Sequence, residues 1–170
     1  MFNINEQIPR EKIKFNYLNI PDLRDISDFS CGWNHSVFLN TSGKLFSVGN
    51  NKYGQLGLGN NNNQSSPCEV PGMEKISMIS CGGNHTTCVD ENGSLWTFGY
   101  NEYGQLGLGD TENRNKASKV PGISNVKSLS KGCSAFNCVV QCGDNSIWVF
   151  GWNENGQLGL NNSTNQVSPQ

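Results

Sequence analysis

One segment returns along this chain and outweighs every other signal in it. Asn51-Lys52-Tyr53-Gly54-Gln55-Leu56-Gly57-Leu58-Gly59 recurs as Asn101-Glu102-Tyr103-Gly104-Gln105-Leu106-Gly107-Leu108-Gly109, and most of it again as Asn153-Glu154-Asn155-Gly156-Gln157-Leu158-Gly159-Leu160. Upstream, Cys31-Gly32-Trp33-Asn34-His35-Ser36 aligns with Cys81-Gly82-Gly83-Asn84-His85-Thr86 and, without a gap, with Lys131-Gly132-Cys133-Ser134-Ala135-Phe136. The third unit carries two extra residues, which the alignment assigns to a hairpin tip at 141–146. A repeat of about 50 residues means one supersecondary unit, stacked copy on copy to bury a shared core. The expected division is a 1–20 extension ending in part of a preceding repeat, then repeats at 21–70, 71–120 and 121–170, the last truncated. On this reading the chain starts and stops partway through a unit.

Within a unit the pattern is that of short strands. Lys75 to Ser80, Thr86 to Asp90 and Ser94 to Phe98 read as strands, with an Asn-Gly hairpin turn at Glu91-Asn92-Gly93. The 20 glycines suit such turns, because glycine reaches the positive-φ conformations that helix interiors do not use. Ile147-Trp148-Val149-Phe150 is apolar on both faces, as a sheet sandwiched between two others requires. Four-stranded blades around an axis meet that demand, so the expected fold is all-β, a β-propeller with an incomplete ring of about three four-stranded blades. Trp96 and Trp148 share a strand position with Phe46 and are expected in the core.

Charge and motifs exclude several functions. Twelve basic and 14 acidic residues leave a net charge of −2, too little positive charge for phosphate-driven nucleic-acid binding. The small cluster Arg10, Lys12 and Lys14 contains Glu11 and reads as a solvated stretch. No apolar run approaches the ~20 residues that span a bilayer, and no signal peptide is apparent, so a cytosolic or nuclear location and no membrane partner are expected. Seven cysteines without a C-x-x-C pair read as free thiols, with Cys133, Cys138 and Cys142 packing and Cys142 the surface candidate at the hairpin tip. The glycine-rich segment lacks the Gly-Lys-Ser/Thr ending of a phosphate loop, so Gly54, Gly57, Gly59, Gly104, Gly107, Gly109, Gly156 and Gly159 are read as turn residues. Gln55, Gln105 and Gln157 are read as structural parts of the same motif. Leu56 and Leu58 are read as anchoring the loop in the apolar layer between blades, and Leu106 and Leu158 as structural parts of the motif.

His35 and His85 recur at equal places and form Cys-x-x-x-His pairs with Cys31 and Cys81, residue types that zinc accepts. The ungapped alignment puts Lys131 and Ala135 at those places in the third unit. Equal positions on adjacent blades are also a blade width apart. The histidines are therefore expected to be hydrogen-bonded structural groups, with no metal, cofactor or catalytic residues. Asp110, Glu112 and Glu102 lie in loops without repeated pairing and are read as solvated.

The Gly-Gln-Leu-Gly-Leu-Gly segment after an aromatic-Gly strand end, with Cys-Gly-x-Asn-His-Ser/Thr upstream, resembles the regulator of chromosome condensation repeat family over roughly residues 20–170. The resemblance implies a propeller that binds proteins through its rim and loops. In the founding member it implies nucleotide exchange on the small GTPase Ran. The loops here have near-equal length, and the protruding hairpin and basic tail of that member are missing. The favoured function is thus a non-enzymatic protein-interaction module. The alternatives are guanine nucleotide exchange on a Ran-like GTPase, or a fragment of a longer propeller with no independent function. Gly32-Trp33-Asn34-His35-Ser36 also resembles a pentapeptide of a light-sensing member, with Asn34 where an arginine is expected, and Trp33 is read as a packing or rim residue. Partner contact is expected at the loops where repeats differ: 60–66, 110–116 with Asp110, Glu112, Arg114 and Lys116, and the tip with Gln141 and Asp144. Blade faces left uncovered are expected to self-associate.

Overall fold

The computed structural model describes residues 23–132 and 135–170; the 1–20 extension with its basic cluster and Cys133 lie outside them. Eleven strands follow one another among the described residues. They are β1 (Ile26–Cys31), β2 (His35–Asn40), β3 (Leu45–Gly49), β4 (Gln64–Glu69), β5 (Ile76–Cys81), β6 (His85–Asp90), β7 (Leu95–Gly99), β8 (Arg114–Lys119), β9 (Val126–Leu129), β10 (Asn137–Cys142) and β11 (Ile147–Gly151). They form three antiparallel meanders, in the orders β1-β2-β3-β4, β5-β6-β7-β8 and β9-β10-β11. The architecture is all-β and propeller-like, with an open ring.

The third sheet differs from the expected four strands. Its outer strand is reduced to a bridge between Gly151 and Gln166 and a reciprocal pair of bonds between Val149 and Gln170. These contacts fall at the places of Gly99 with Arg114 and Thr97 with Ser118 in the second sheet. The outer strand β8 and its counterpart β4 carry few apolar residues, so neither was legible as a strand in the sequence.

Sheet stacks on sheet through two apolar layers. Val37, Leu39 and Leu45 of the first sheet meet Ile79, Cys88 and Phe98 of the second. Val89 and Leu95 of the second meet Leu129, Val140 and Phe150 of the third. The middle sheet is covered on both faces, and every β6 residue but the last is buried. Trp96 and Trp148 are half-buried: each lies on the strand face of Phe98 or Phe150 and packs against the first or the second of these layers, respectively.

Local geometry corrects two further expectations. Lys75 begins no strand: it takes φ 59°, as Asp25 and Asn125 do at the equal places, and turns the chain into the next blade. The β6–β7 turn sits where Asn92-Gly93 predicts, but only Gly93 has positive φ, and Gly93 N–H bonds to Asp90 O. That is a type I turn closed by a glycine bulge, with the Asp90 carboxylate accepting from the Asn92 and Ser94 amides.

The two extra residues of the third unit are not in the β10–β11 tip either. That turn closes from Asn145 N–H to Cys142 O, the same size as Gly93 to Asp90 and Gly43 to Asn40. Register places Asn137, not Ala135, at the histidine position: Asn137 pairs Gly151 as His85 pairs Gly99 and His35 pairs Gly49. The insertion therefore lies between Leu129 and Asn137, in the β9–β10 connection. Cys142 is buried, 5% exposed, because it ends a paired strand; among the described residues the exposed thiol is Cys31.

Candidate functional site

Antiparallel meanders sort the connections to two ends. The β1–β2, β5–β6 and β9–β10 turns share one end with the long motif loops after β3, β7 and β11. The tight β2–β3, β6–β7 and β10–β11 turns and the links between blades occupy the other.

Each motif loop is built around its first asparagine, fully buried in all three copies. Asn101 Oδ1 accepts from the Leu106 amide at 2.9 Å, its Nδ2 donates to Asp110 O at 3.0 Å, and its own amide donates to Asn113 Oδ1 at 2.7 Å. Asn51 and Asn153 make the same three bonds with Leu56, Asn60 and Asn63, and with Leu158, Asn162 and Asn165. These asparagines were not singled out as site residues from the sequence, although each stands first in its copy. Gln55, Gln105 and Gln157 accept from the amide two residues before them. Gln55 Nε2 also donates to Asn50 Oδ1 at 2.9 Å, whereas Gln105 Nε2 is left without a partner, since Tyr100 stands where Asn50 does.

The loops dock on the following blade. A Cβ on Gly54 would lie 2.4 Å from Asn115 Cα, and one on Gly104 2.5 Å from Val167 Cα; Gly57 and Gly107 lie against the Phe98 and Phe150 rings. Gly59 and Gly109 donate to Asn115 O and Val167 O at 2.7 and 2.8 Å. His35 Nε2 bonds Thr86 Oγ1 across the first joint at 3.0 Å, and Thr86 Oγ1 donates on to Gln55 O at 2.8 Å. Both histidine rings lie over the glycine three residues before, where a Cβ on Gly32 or Gly82 would come within 2.3 or 2.1 Å of Cε1. Burial alone lowers His35 to about 4; for His85, burial is joined by the nearby His35 and gives about 4 as well. The rings are thus neutral wedges near neutral pH, with His35 bonded through Nε2 and Nδ1 of both rings buried without a partner among the described residues. Among the described residues no three His, Cys, Asp or Glu side chains stand close enough to hold a metal ion.

The same end carries an aromatic surface assembled from all three blades. Trp33 meets the Phe136 ring edge-on at 5.0 Å, Tyr53 meets Tyr100 at 4.8 Å, and Tyr103 meets Phe136 and Trp152 at 5.7 and 6.1 Å. Trp33 is 50% exposed and lies over Gly83, whose Cβ would come 3.2 Å from the indole. The other five rings are half-buried. Tyr100 donates its hydroxyl to Glu102 Oε2 at 2.6 Å, and Lys52 Nζ stands 5.2 Å over the Tyr53 ring. Burial, then the Glu102 carboxylate, raises the Tyr100 phenol above its ordinary value, so it stays a donor. Repetition named Tyr53 and Tyr103 as motif members, but only the stacking of blades brings six rings into one surface.

The residues expected to touch a partner do not converge. Asp110, Glu112, Arg114 and Lys116 lie at the aromatic end but toward the outer strands. Burial pushes Asp110 up, yet the Glu112 amide and the Arg114 guanidinium, 2.6 Å away, hold it below the usual carboxylate range. That loop is occupied with its own hydrogen bonds. Lys116 packs over Gly59. Asp144 belongs to the opposite end, where Ser146 hydroxyl and amide bonds lower it. Gln141 lies within β10, paired to Ile147 and not on a tip.

Three comparisons meet this geometry. Residues 42–89, 92–143 and 144–170 match the model of the Regulator of chromosome condensation (RCC1) repeat, and a second model of that repeat matches 26–55 and 76–105. The ultraviolet-B receptor UVR8 of Arabidopsis thaliana is 51% identical over 45 residues, covering 26% of this chain and 10% of the receptor. Human WBSCR16 superimposes with a TM-score of 0.74 at 27% identity, over 87% of this chain and 39% of that one. Saccharomyces cerevisiae Prp20p, described with its binding to Gsp1p and histones, gives 0.74 at 21% identity over 88% and 38%. Yeast RCC1 bound to Kap60 gives 0.77 at 20% identity over 88% and 37%. The chain spans under two-fifths of each solved relative, and at these identities the yeast likenesses show the fold. The repeat model covers most of the sequence, each full copy running over the last two strands of one sheet and the first two of the next, so the chain belongs to the RCC1 repeat family.

Proposed function

We propose that the chain is a non-enzymatic protein-interaction module that engages its partner through the aromatic end of the blades. The observation that carries this reading is the continuous surface of Trp33, Tyr53, Tyr100, Tyr103, Phe136 and Trp152. Tryptophan and tyrosine dominate binding hot spots, because they offer large, stiff contact area with a polar tip. Here they are held by turns anchored in rigid sheets, so little ordering accompanies binding. Polar loops around them supply a rim.

The test compares partner capture by the wild-type chain with that by Trp33→Ala, Trp152→Ala and Asp144→Ala. Loss of a hot-spot aromatic costs about 2 kcal/mol, roughly thirtyfold in affinity. The aromatic variants are expected to lose the partner and Asp144→Ala, at the opposite end, to keep it. Equal capture by all forms would overturn the assignment. Stimulated release of labelled guanine nucleotide from a purified small GTPase would replace it with an exchange role.

A further inference from the structure

Blades that radiate from an axis pack closely near it and part toward their outer edges. At the first joint the parting leaves a cavity of about 400 Å³ whose walls include Leu58, Pro71, Trp96, Lys116 and Ala117. At the second joint a cavity of about 410 Å³ has Leu108, Pro121, Trp148, Ser168 and Pro169. These are the same five places. Trp96 pairs Cys88 as Trp148 pairs Val140, and Gly59 donates to Asn115 O as Gly109 donates to Val167 O, which aligns Lys116 with Ser168. Gly72 and Gly122 border the two cavities, and a Cβ on either would meet nothing within 4 Å, so the chain puts no side chain across the opening there. Both volumes fall in the ~300 to 1,000 Å³ of ligand pockets. None of the rings of the aromatic end lines either one.

The first cavity carries a charge that the second lacks. The Lys116 stem lies along Gly59, with Cε 3.0 Å from a would-be Cβ, and its ammonium makes no ion pair among the described residues. Lys119 stands opposite Trp96 in the strand register, is exposed, and is likewise unpaired among them. The carboxylate beside the indole, that of Asp90, is taken up by Trp96 Nε1 at 3.0 Å and by the Asn92 and Ser94 amides. An apolar hollow with one unpaired cation in its wall and a second close by complements a bulky apolar group that brings its own negative charge.

The geometry points to a second docking site on this chain, at the outer edge of the first joint, for a protein segment that carries a bulky apolar side chain between carboxylates. The apolar side chain enters against Trp96, Leu58 and Pro71, and the carboxylates lie toward Lys116 and Lys119. The second joint offers the same hollow with Ser168 in place of the cation and binds such a segment more weakly. The site is separate from the aromatic end, so it stands or falls apart from the function proposed for that end.

The chain has four tryptophans, whose indole N–H signals in a proton–nitrogen NMR spectrum report both surfaces at once. Trp96 and Trp148 report the cavities, Trp33 and Trp152 the aromatic end. The probe is a synthetic peptide of one phenylalanine with two glutamates on each side. It is expected to shift the Trp96 signal saturably, to shift Trp148 only at higher concentration, and to leave Trp33 and Trp152 in place. Serine in place of the phenylalanine is expected to abolish the shift. Lys116→Ser changes an exposed position to the residue of the second joint, so the variant is expected to fold, and to bind about threefold more weakly at low salt. A Trp96 signal that does not move, a serine peptide that shifts it equally, or unchanged affinity in Lys116→Ser would each overturn the proposal. Movement of Trp33 and Trp152 while Trp96 stays would assign the peptide to the aromatic end and overturn it as well.

Discussion

The fully buried Asn101 side chain satisfies three backbone groups, the Leu106 amide and the Asp110 and Glu112 carbonyls. Asn101→Ala strands the Leu106 amide and the Asp110 carbonyl, and a loss of about 2 to 4 kcal/mol is expected in the urea midpoint. Asn50→Ala tests a smaller debt: it leaves Gln55 Nε2 as partnerless as Gln105 Nε2 already is, at about 1 kcal/mol. The histidines carry a pH signature. Their folded values of about 4 lie below the ordinary 6.5, so between these the unfolded chain binds protons that the folded chain refuses. Stability is full above pH 6.5, falls as pH drops toward 4, and each ring contributes up to about 3 kcal/mol to that fall. His85→Asn copies the residue that blade three already has, and its urea midpoint is expected to vary less with pH than that of wild type.

The blade and its loop are the working element, and the loop glycines separate two demands. Gly54 has φ 84° and backbone within 2.4 Å of its would-be Cβ; Gly156 has φ 71° and only Asn162 O at 3.9 Å. Gly156→Ala is expected to lose about 1 kcal/mol for the left-handed conformation alone. Gly54→Ala adds the displacement of β8 and is expected to lose a further 1 to 3 kcal/mol, read in paired urea melts. Equal losses would mean that the loop does not bear on the next blade. At this scale the sequence spoke clearly where a motif repeated with its spacing intact. It misled at the third unit, where two extra residues entered the β9–β10 connection and an ungapped alignment put Ala135 where Asn137 belongs. Only the strand register, in which Asn137 faces Gly151, exposes that shift. The outer strands were illegible because β4 and β8 are mostly polar and half-exposed, so alternation of apolar residues is absent.

Across the whole molecule, stability is distributed as in a stack whose members touch only their neighbours. The middle sheet shares an apolar layer with each neighbour, whereas the first and third share one each. Amide hydrogen exchange is expected to be slowest in β6 and β7 and faster in β10 and β11, whose outer face includes the exposed Ile147. The aromatic end is also a property of the whole stack, since Trp33 rests on the second blade and reaches Phe136 of the third.

By itself the sequence determined the repeat, its strand-and-turn content and the need for sheets covered on both faces. Those follow from spacing and from residues such as Gly54 and Leu56, whose chemistry is local. The tertiary structure alone decided which end gathers Trp33, Tyr100 and Trp152, and that Gln141 lies on a blade face. Each of these depends on which blade lies beside which, and burial between neighbours is a relation that no residue carries in its own sequence position.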